Sequence, residues 1–249
     1  FSQTVVIIIY LIHFASKKAT LRFTKFKFRL GLILREFISG IPSGITEMSP
    51  GIVTFIFNRF IVAFMHEREL IIYSILSYVI LLATVLANGI AQGAQPLVSY
   101  YHGRHERDTF HAIFGYEIKS GILLAAVEAV LIVAFGKYIA MLFVGEGDGI
   151  TTDIVYALRL VAVAFPLLSM NVIIAGYLTA LERSRVAVVI SLMRCTLTLI
   201  VALAIIVAVF GMGTVWLSLA ISEMMCLVIA VLLYKKTRRV EIAETFDDM

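Results

Sequence analysis

Six long blocks of hydrophobic residues, separated by short polar segments, follow a shorter first block at residues 2–15. A helix that crosses the hydrocarbon core of a bilayer needs about 20 predominantly apolar residues, and every long block exceeds that length. The blocks span approximately residues 31–64, 70–100, 112–144, 154–181, 186–209 and 213–234. The pattern predicts an all-α integral membrane protein in which residues 31–234 form a six-helix transmembrane bundle.

Basic residues fall on alternate connecting segments of this predicted bundle. Six Lys and Arg residues lie in 17–29, two each lie in 101–111 and 182–185, and four lie in 235–239. The segments between these carry few basic residues. Because Lys and Arg accumulate in cytoplasmic loops, the alternation places these four segments and the C-terminus in the cytoplasm.

The composition and the flanking segments fit the same interpretation. Hydrophobic residues make up 61% of the chain and charged residues 15%, whereas soluble domains have about 45–50% and about 25%. We read residues 1–15 as the end of a truncated transmembrane helix, 16–30 as a basic cytoplasmic linker and 235–249 as a cytoplasmic tail. Phe1 lies in an apolar run without the features of a signal peptide, so we expect the chain to begin inside a helix of a longer protein.

Several classes of function find no support in the sequence. Cys195 and Cys226 both lie in apolar blocks, with neither metal-ligand spacing nor a disulfide framework. The net charge of +4 reflects basic membrane loops, and no basic patch is interleaved with aromatic residues as a nucleic-acid surface requires. There is no nucleophile–base set and no phosphate-binding loop. We therefore predict no catalytic residues, no metal site, no nucleic-acid partner and no ATP-driven activity.

The first long block carries a carboxylate, Glu47, which Pro42 and Pro50 flank. Each proline removes a backbone donor and frees a carbonyl that needs another partner. An acid inside an apolar span is a candidate functional residue, because burying its charge is costly. The helical face that contains Glu47 also contains Ser43, Thr54 and Asn58. We predict that Glu47 and Asn58 bind an ion or substrate, and that both prolines act as hinges.

The second long block ends in a polar helical face. This face comprises Asn88, Gln92, Gln95 and Ser99, at offsets of four, seven and eleven from the first. Gly89 and Gly93 form a small-residue motif that allows close approach of another helix, and Pro96 follows as a further predicted hinge. Amide side chains in lipid need partners, so this face either joins helices or lines a cavity. We include Gln92 and Gln95 in the predicted ion- or substrate-binding set.

Two later features complete the candidate residues. Arg194 and Glu223 lie at similar depths measured from the same side of the membrane, which predicts a structural ion pair between the last two helices. In the fourth long block Pro166 is predicted to bend the helix, and Asn171 follows it as a polar candidate. Glu128 in the third block receives no assigned role.

The order of these motifs resembles the C-terminal half of MATE (multidrug and toxic compound extrusion) transporters. The hallmark run is residues 89–103, GIAQGAQPLVSYYHG, supported by residues 40–49, GIPSGITEMS. Residues 192–195 resemble the arginine-bearing eleventh helix of the family, and 210–216 with 221–223 resemble its twelfth. The resemblance implies that the chain contains the end of helix six, the linker between two lobes, and helices seven to twelve.

The family resemblance implies a function and its partners. MATE proteins have two six-helix lobes and export drugs by alternating access, so that H+ or Na+ would be the coupling ion and no other cofactor is expected. The implied partners are the missing N-terminal lobe, membrane lipids and small cationic drugs. The implied location is the inner membrane of a bacterial cell.

The resemblance also bears on the coupling residue. Glu47 matches the glutamate five residues after the helix-seven proline in a bacterial branch of the family. The alternative seventh-helix position is occupied here by Pro50, and residues 165–171 lack the tenth-helix acid of other branches. Either Glu47 or an acid in the absent lobe would therefore couple transport. A neutral Glu47 would carry a proton that a cationic drug displaces, whereas an ionised Glu47 would form a sodium site.

Three alternatives to drug antiport remain open at the level of the sequence. A lipid-linked oligosaccharide flippase of the same superfamily would require more basic residues inside the cavity. A membrane-embedded enzyme would require clustered His, Asp or Ser within the spans. The chain would be inactive if it were a truncated lobe without its partner.

Overall fold

The computed structural model describes residues 2–15, 29–145 and 149–247, and within these ranges it contains helices and no β-strand. The α-helices are α1 (Ser2–Ala15), α2 (Leu30–Phe64), α3 (Glu67–Gly103), α4 (Arg107–Val144), α5 (Ile150–Ala162), α6 (Phe165–Ala180), α7 (Ser184–Leu192), α8 (Thr198–Phe210) and α9 (Leu217–Asp247). A π-helix, Met193–Leu197, joins α7 to α8. Most of the predicted linker, residues 16–28, lies outside the described residues.

The chain forms two compact units. The first is Phe1–Gly40, which holds α1 and the beginning of α2. The second is Ile41–Met249, which holds the rest of α2 and all later helices. Every residue of the candidate site belongs to the second unit.

The helices of the described residues confirm the predicted membrane fold. Five helical segments are long and apolar enough to cross a bilayer, and the α5–α6 pair makes a sixth if its two helices form one bent span. Large hydrophobic side chains are exposed along these segments, as in Phe55, Leu82, Leu123 and Leu232. A surface of this kind is stable in lipid and would be a large apolar patch in water. The chain is therefore a multi-pass membrane protein.

Helices α3, α4 and α6 pack against one another at the centre of the second unit. A Cβ added to Gly176 of α6 would lie 2.9 Å from the Cβ of Ala91 in α3, so a glycine is needed for this contact. A Cβ added to Gly121 of α4 would overlap the side chain of Ile173 and lie 2.7 Å from Ser169 Oγ, both in α6. The closest packing in the bundle therefore depends on small residues of α4 and α6.

The two ends of the bundle are held by different contacts. At one end, which we call the basic end after Arg104 and Arg183 in its turns, Ser99 Oγ donates to the carbonyl of Ala180 at 3.1 Å. At the opposite end Arg68 Nη2 lies 2.6 Å from Asp153 Oδ2, which joins the start of α3 to the start of α5. The first contact is part-buried and the second is an exposed ion pair, which by itself contributes little to stability.

Two irregularities interrupt otherwise straight helices. The axes of α5 and α6 differ by 44° across Val163–Ala164, and Pro166 lies in the first turn of α6. Proline suits the first turn of a helix because its missing N–H has no intrahelical partner there. The second irregularity is the π-helix at Met193–Leu197, which contains Arg194.

Candidate functional site

A polar cavity of about 390 Å³ opens between α2, α3, α6 and α7. Four of the five residues predicted to bind an ion or substrate line this cavity: Glu47, Gln92, Gln95 and Asn171. Arg194 also borders it, although the sequence predicted only a structural role for that side chain. Three helices, α2, α3 and α6, thus bring one acid and four amides, Asn88 among them, around one space.

Asn58, the fifth predicted binding residue, lies elsewhere. Its side chain is exposed, and it lines neither of the cavities described here. Eleven residues of helix separate it from Glu47, which corresponds to about 16 Å along the axis. The two residues share a helical face, but they lie too far apart to contact one small ligand.

Glu47 is exposed in the described chain, although an intramembrane acid suggested burial. It forms no ion pair or hydrogen bond with a described residue, and it borders the polar cavity. A carboxylate in this position is an acceptor that water, a cation or the substrate can reach. It is the acidic group of the polar cavity, and its charge lacks a fixed counter-charge among the described residues.

Residues of α3 form one wall of the polar cavity. Thr84 and Asn88 line it together with Gln92 and Gln95, so the polar face continues further along α3 than predicted. Thr84 Oγ1 donates to the carbonyl of Ile80 at 2.8 Å, which leaves its oxygen able to accept a bond from a ligand. The spacing of four between Thr84 and Asn88 was the available sequence signal, and it was missed.

Gly89 and Gly93, a motif that allows close helix approach, contact no other helix among the described residues. A Cβ built on either glycine would meet nothing within 4 Å among the described residues. The tight contact of α3 occurs instead at Ala91, which touches Gly176. Residue spacing shows that glycines share a face, but it does not show which face another helix covers.

A buried polar network separates the polar cavity from the space beyond it. Arg194 Nε lies 3.1 Å from Glu223 Oε1, and Asn171 Nδ2 donates to Glu223 Oε2 at 2.7 Å and to the Glu223 carbonyl at 2.9 Å. The carboxylate of Glu223 thus has a different partner on each oxygen. Asn171 Oδ1 is buried and has no partner among the described residues.

The π-helix places Arg194 within this network. Thr198 Oγ1 donates to the carbonyl of Met193 at 2.9 Å, five residues earlier, and lies 3.0 Å from Ser222 Oγ of α9. A π-helical turn holds an extra residue and is frequent at functional sites. Nothing in the local composition indicates it, so sequence reasoning treated α7 and α8 as one regular helix.

A second cavity, of about 360 Å³, lies on the other side of the Arg194–Glu223 pair. Its walls include Tyr73, Tyr78, Phe165 and many aliphatic side chains, so we call it the apolar cavity. Three residues, Pro50, Thr84 and Arg194, border both cavities. The ion pair is therefore part of the partition between a polar space and an apolar one.

The predicted hinge prolines occupy different settings. Pro50 lies within the continuous helix α2 at the boundary of both cavities, and α3 continues through Pro96, which is exposed. Pro166 is next to the 44° bend between α5 and α6. The side chain of Pro42 lies outside the described residues.

Comparisons with known proteins agree with this architecture. A family model described as MatE matches residues 42–205. No curated protein matches the sequence.

Solved structures match with low sequence identity and close similarity of fold. A multidrug resistance MATE family transporter in an outward-facing conformation has 18% identity and a TM-score of 0.84, with 96% of this chain and 54% of that chain covered. An inward-facing MATE structure gives 19% identity and a TM-score of 0.77, covering 96% and 56%. A transporter of the MOP superfamily from Pyrococcus furiosus gives 19% and 0.80, covering 94% and 53%. The chain thus spans about half the length of these transporters.

Proposed function

The chain belongs to the MatE family, a family of transporters, and on that premise we propose that it is one lobe of a secondary multidrug exporter. Export would act on cationic or lipophilic compounds in exchange for H+ or Na+ by alternating access. The observation that carries the proposal is the polar cavity, in which Glu47 lacks a fixed counter-charge among the described residues and faces amide side chains. A cavity of this kind binds one cation at a time.

Competition for Glu47 is sufficient for exchange. A proton, a sodium ion and an ammonium-bearing drug can each neutralise the carboxylate. Any two of these cations compete for it, so they bind one after the other and not together. Binding of one therefore lowers the affinity for another, which is an unfavourable (positive) coupling free energy between ligands. Gln92 and Gln95 would orient the polar part of the drug.

The identity of the coupling ion divides the proposal into two versions. In the first, Glu47 takes a proton and releases it when the cationic drug binds. In the second, Glu47 stays ionised and holds sodium together with amide or backbone oxygens. An acid in the partner lobe is the alternative coupling group, and it would leave Glu47 to bind the drug alone.

The proposed surroundings follow from the fold and from the charges of the turns. The matched transporters are about twice as long as this chain, so we propose that it works as the C-terminal lobe beside an N-terminal lobe of similar size. The basic end would face the cytoplasm of a bacterial cell, together with the C-terminus. Membrane lipids and cationic drugs are then its other partners, without nucleic acid and with no cofactor besides the ion.

Observations on the cavities favour drug export over the flipping of anionic lipid-linked sugars. Arg194 is the cationic side chain that borders the two cavities, and its charge is already paired with Glu223. A site for an anionic diphosphate needs unpaired basic donors inside the cavity. The described walls provide an acid and amides instead.

Transport by the whole protein in proteoliposomes tests the proposal. An imposed H+ or Na+ gradient should drive movement of a lipophilic cation, and dissipating that gradient should stop it. Liposomes without protein and liposomes with an anionic dye are the controls. Gradient-independent movement, or transport of the anion alone, would overturn the proposal.

A further inference from the structure

A second set of polar groups lies in α4, away from the site described above. Glu117 is 5% exposed, and neither of its carboxylate oxygens has a hydrogen-bond partner among the described residues. It borders neither the polar nor the apolar cavity. A carboxylate this well buried in an apolar bundle needs either a partner for its charge or a proton that removes the charge.

The same face of α4 carries further unpartnered groups. Gly121 and Glu128 follow Glu117 at offsets of four and eleven, which places the three residues along one helical stripe. Ser169 of α6 lies against Gly121, is 2% exposed and has a hydroxyl oxygen without a partner among the described residues. Oε1 of Glu128 is also buried without such a partner. We call this stripe, Glu117, Gly121, Ser169 and Glu128, the α4–α6 seam.

Apolar packing closes the seam around Glu117. Its neighbours Phe114 and Ile118 pack against a cluster from α3 and α6 that includes Ala91 and Ile173. Side-chain packing of this density excludes bulk water, so water cannot stabilise an ionised Glu117. The neutral, protonated form of the carboxyl group is favoured instead.

No counter-charge lies on the parts of α3 and α6 that face Glu117. Between Tyr78 and Tyr100, α3 has no titratable side chain, and α6 has only Tyr177, whose hydroxyl lies 2.9 Å from His111 Nδ1. The remaining titratable groups facing α4, from α5 and from α9 beside Phe114, are Asp153, Tyr156, Arg159 and Tyr234. Asp153 is already paired with Arg68 at the opposite end of the bundle.

We propose that Glu117 is a proton-binding site in the α4–α6 seam, with Ser169 and Glu128 as further hydrogen-bonding groups along the same stripe. A hydronium ion in the water at the basic end, ten residues of helix away, supplies the proton: one of its O–H bonds breaks as an O–H bond forms on the carboxylate, and a water molecule remains. The site is separate from Glu47, so it stands whether or not the chain exports drugs. Where transport is coupled to protons, it provides a second carrier in the same lobe.

Infrared spectroscopy of the whole transporter in lipid bilayers tests this assignment. The carbonyl stretch of a protonated carboxyl group is resolved from that of a carboxylate, and we expect a protonated band at neutral pH that is lost in Glu117→Gln. Glu106→Gln, which removes a half-buried carboxylate paired with Arg104 outside the seam, is the matched control and should leave the band unchanged. Identical protonated bands in wild type and Glu117→Gln would overturn the proposal.

A second measurement needs no variant and therefore does not depend on folding of Glu117→Gln. Dicyclohexylcarbodiimide is apolar and adds to protonated carboxyl groups in membranes, leaving a stable acylurea that mass spectrometry locates. We expect the adduct on Glu117 at neutral pH and its loss when the pH is raised far enough to ionise the group. Labelling of Glu128 or Glu47 with Glu117 left unmodified would contradict the assignment. A protein that forms the Glu117 adduct as expected but does not transport a drug in proteoliposomes would contradict only the export function.

Discussion

The polar and apolar cavities meet at Arg194 but offer a ligand opposite surroundings. The polar cavity presents Glu47, which has no fixed partner among the described residues, whereas the partition beside the apolar cavity holds Glu223, whose two oxygens are both bonded. Of the two carboxylates, Glu47 is therefore free to bind a ligand, whereas Glu223 is already occupied by partners within the protein. An intramembrane acid is therefore a candidate for ligand binding only after its partners have been counted.

The largest expected effect is the loss of stability when the Arg194–Glu223 ion pair between the two cavities is broken. We expect Glu223→Leu to lower the free energy of unfolding by about 3–5 kcal/mol, because it leaves Arg194 charged, largely buried and unpaired. Reversible unfolding in mixed micelles, followed by circular dichroism, measures this change. The double variant Arg194→Met with Glu223→Leu should recover most of the loss. Equal destabilisation by Glu47→Gln and Glu223→Leu would show that the two acids do not differ.

The next effect concerns the contact of α6 with α3 beside the polar cavity. Gly176→Ala should destabilise the bundle by about 1–3 kcal/mol, because the new methyl group meets Ala91 in a packed contact. Gly93→Ala is the matched control on the other side of α3, where no atom of the described residues lies within 4 Å. It should stabilise the fold by about 0.4–1 kcal/mol, since alanine restricts the unfolded chain. Thermal unfolding with both variants in one detergent measures the difference, and shifts of the same sign would contradict it.

The smallest expected effect is on the affinity for a ligand bound in the polar cavity. Gln95→Ala should weaken binding of a lipophilic cation by about twofold to tenfold, which corresponds to one lost hydrogen bond of about 0.5–1.5 kcal/mol. Asn58→Ala removes an exposed amide that borders neither cavity and should leave the affinity unchanged. Equilibrium fluorescence titration with a cationic dye gives both affinities. A loss that appears only with Asn58→Ala would move the site away from the polar cavity.

The hydrophobic pattern predicted the fold because each membrane helix must satisfy its own backbone and bury its apolar length in lipid. The last helix shows the limit of this signal. We predicted its end at 234, but α9 continues to Asp247, because Lys, Arg, Glu and Ala favour a helix even where they are too polar for the membrane. Hydropathy predicts which part of a helix lies in lipid, but it does not predict how far the helix extends into water.

Features that depend on three-dimensional partners were not accessible from the sequence. Spacing placed Gln92, Gln95 and Asn171 on helical faces, yet only the packing of α3 against α6 shows that they line one cavity. The π-helix around Arg194 depends on hydrogen bonds of Thr198 that composition does not indicate. Glu117 drew no hypothesis, although its spacing of eleven from Glu128 was a usable signal.

The most direct measurement of the central claim records what leaves Glu47 when a cation binds. The whole transporter in lightly buffered detergent is mixed with a lipophilic cation, and proton release and sodium release are followed with a pH dye and a sodium-selective electrode. We predict that one of the two ions is released by the wild type and that Glu47→Gln abolishes the release while the protein stays folded. Undiminished release from Glu47→Gln would contradict the claim that Glu47 is the exchange site of this lobe.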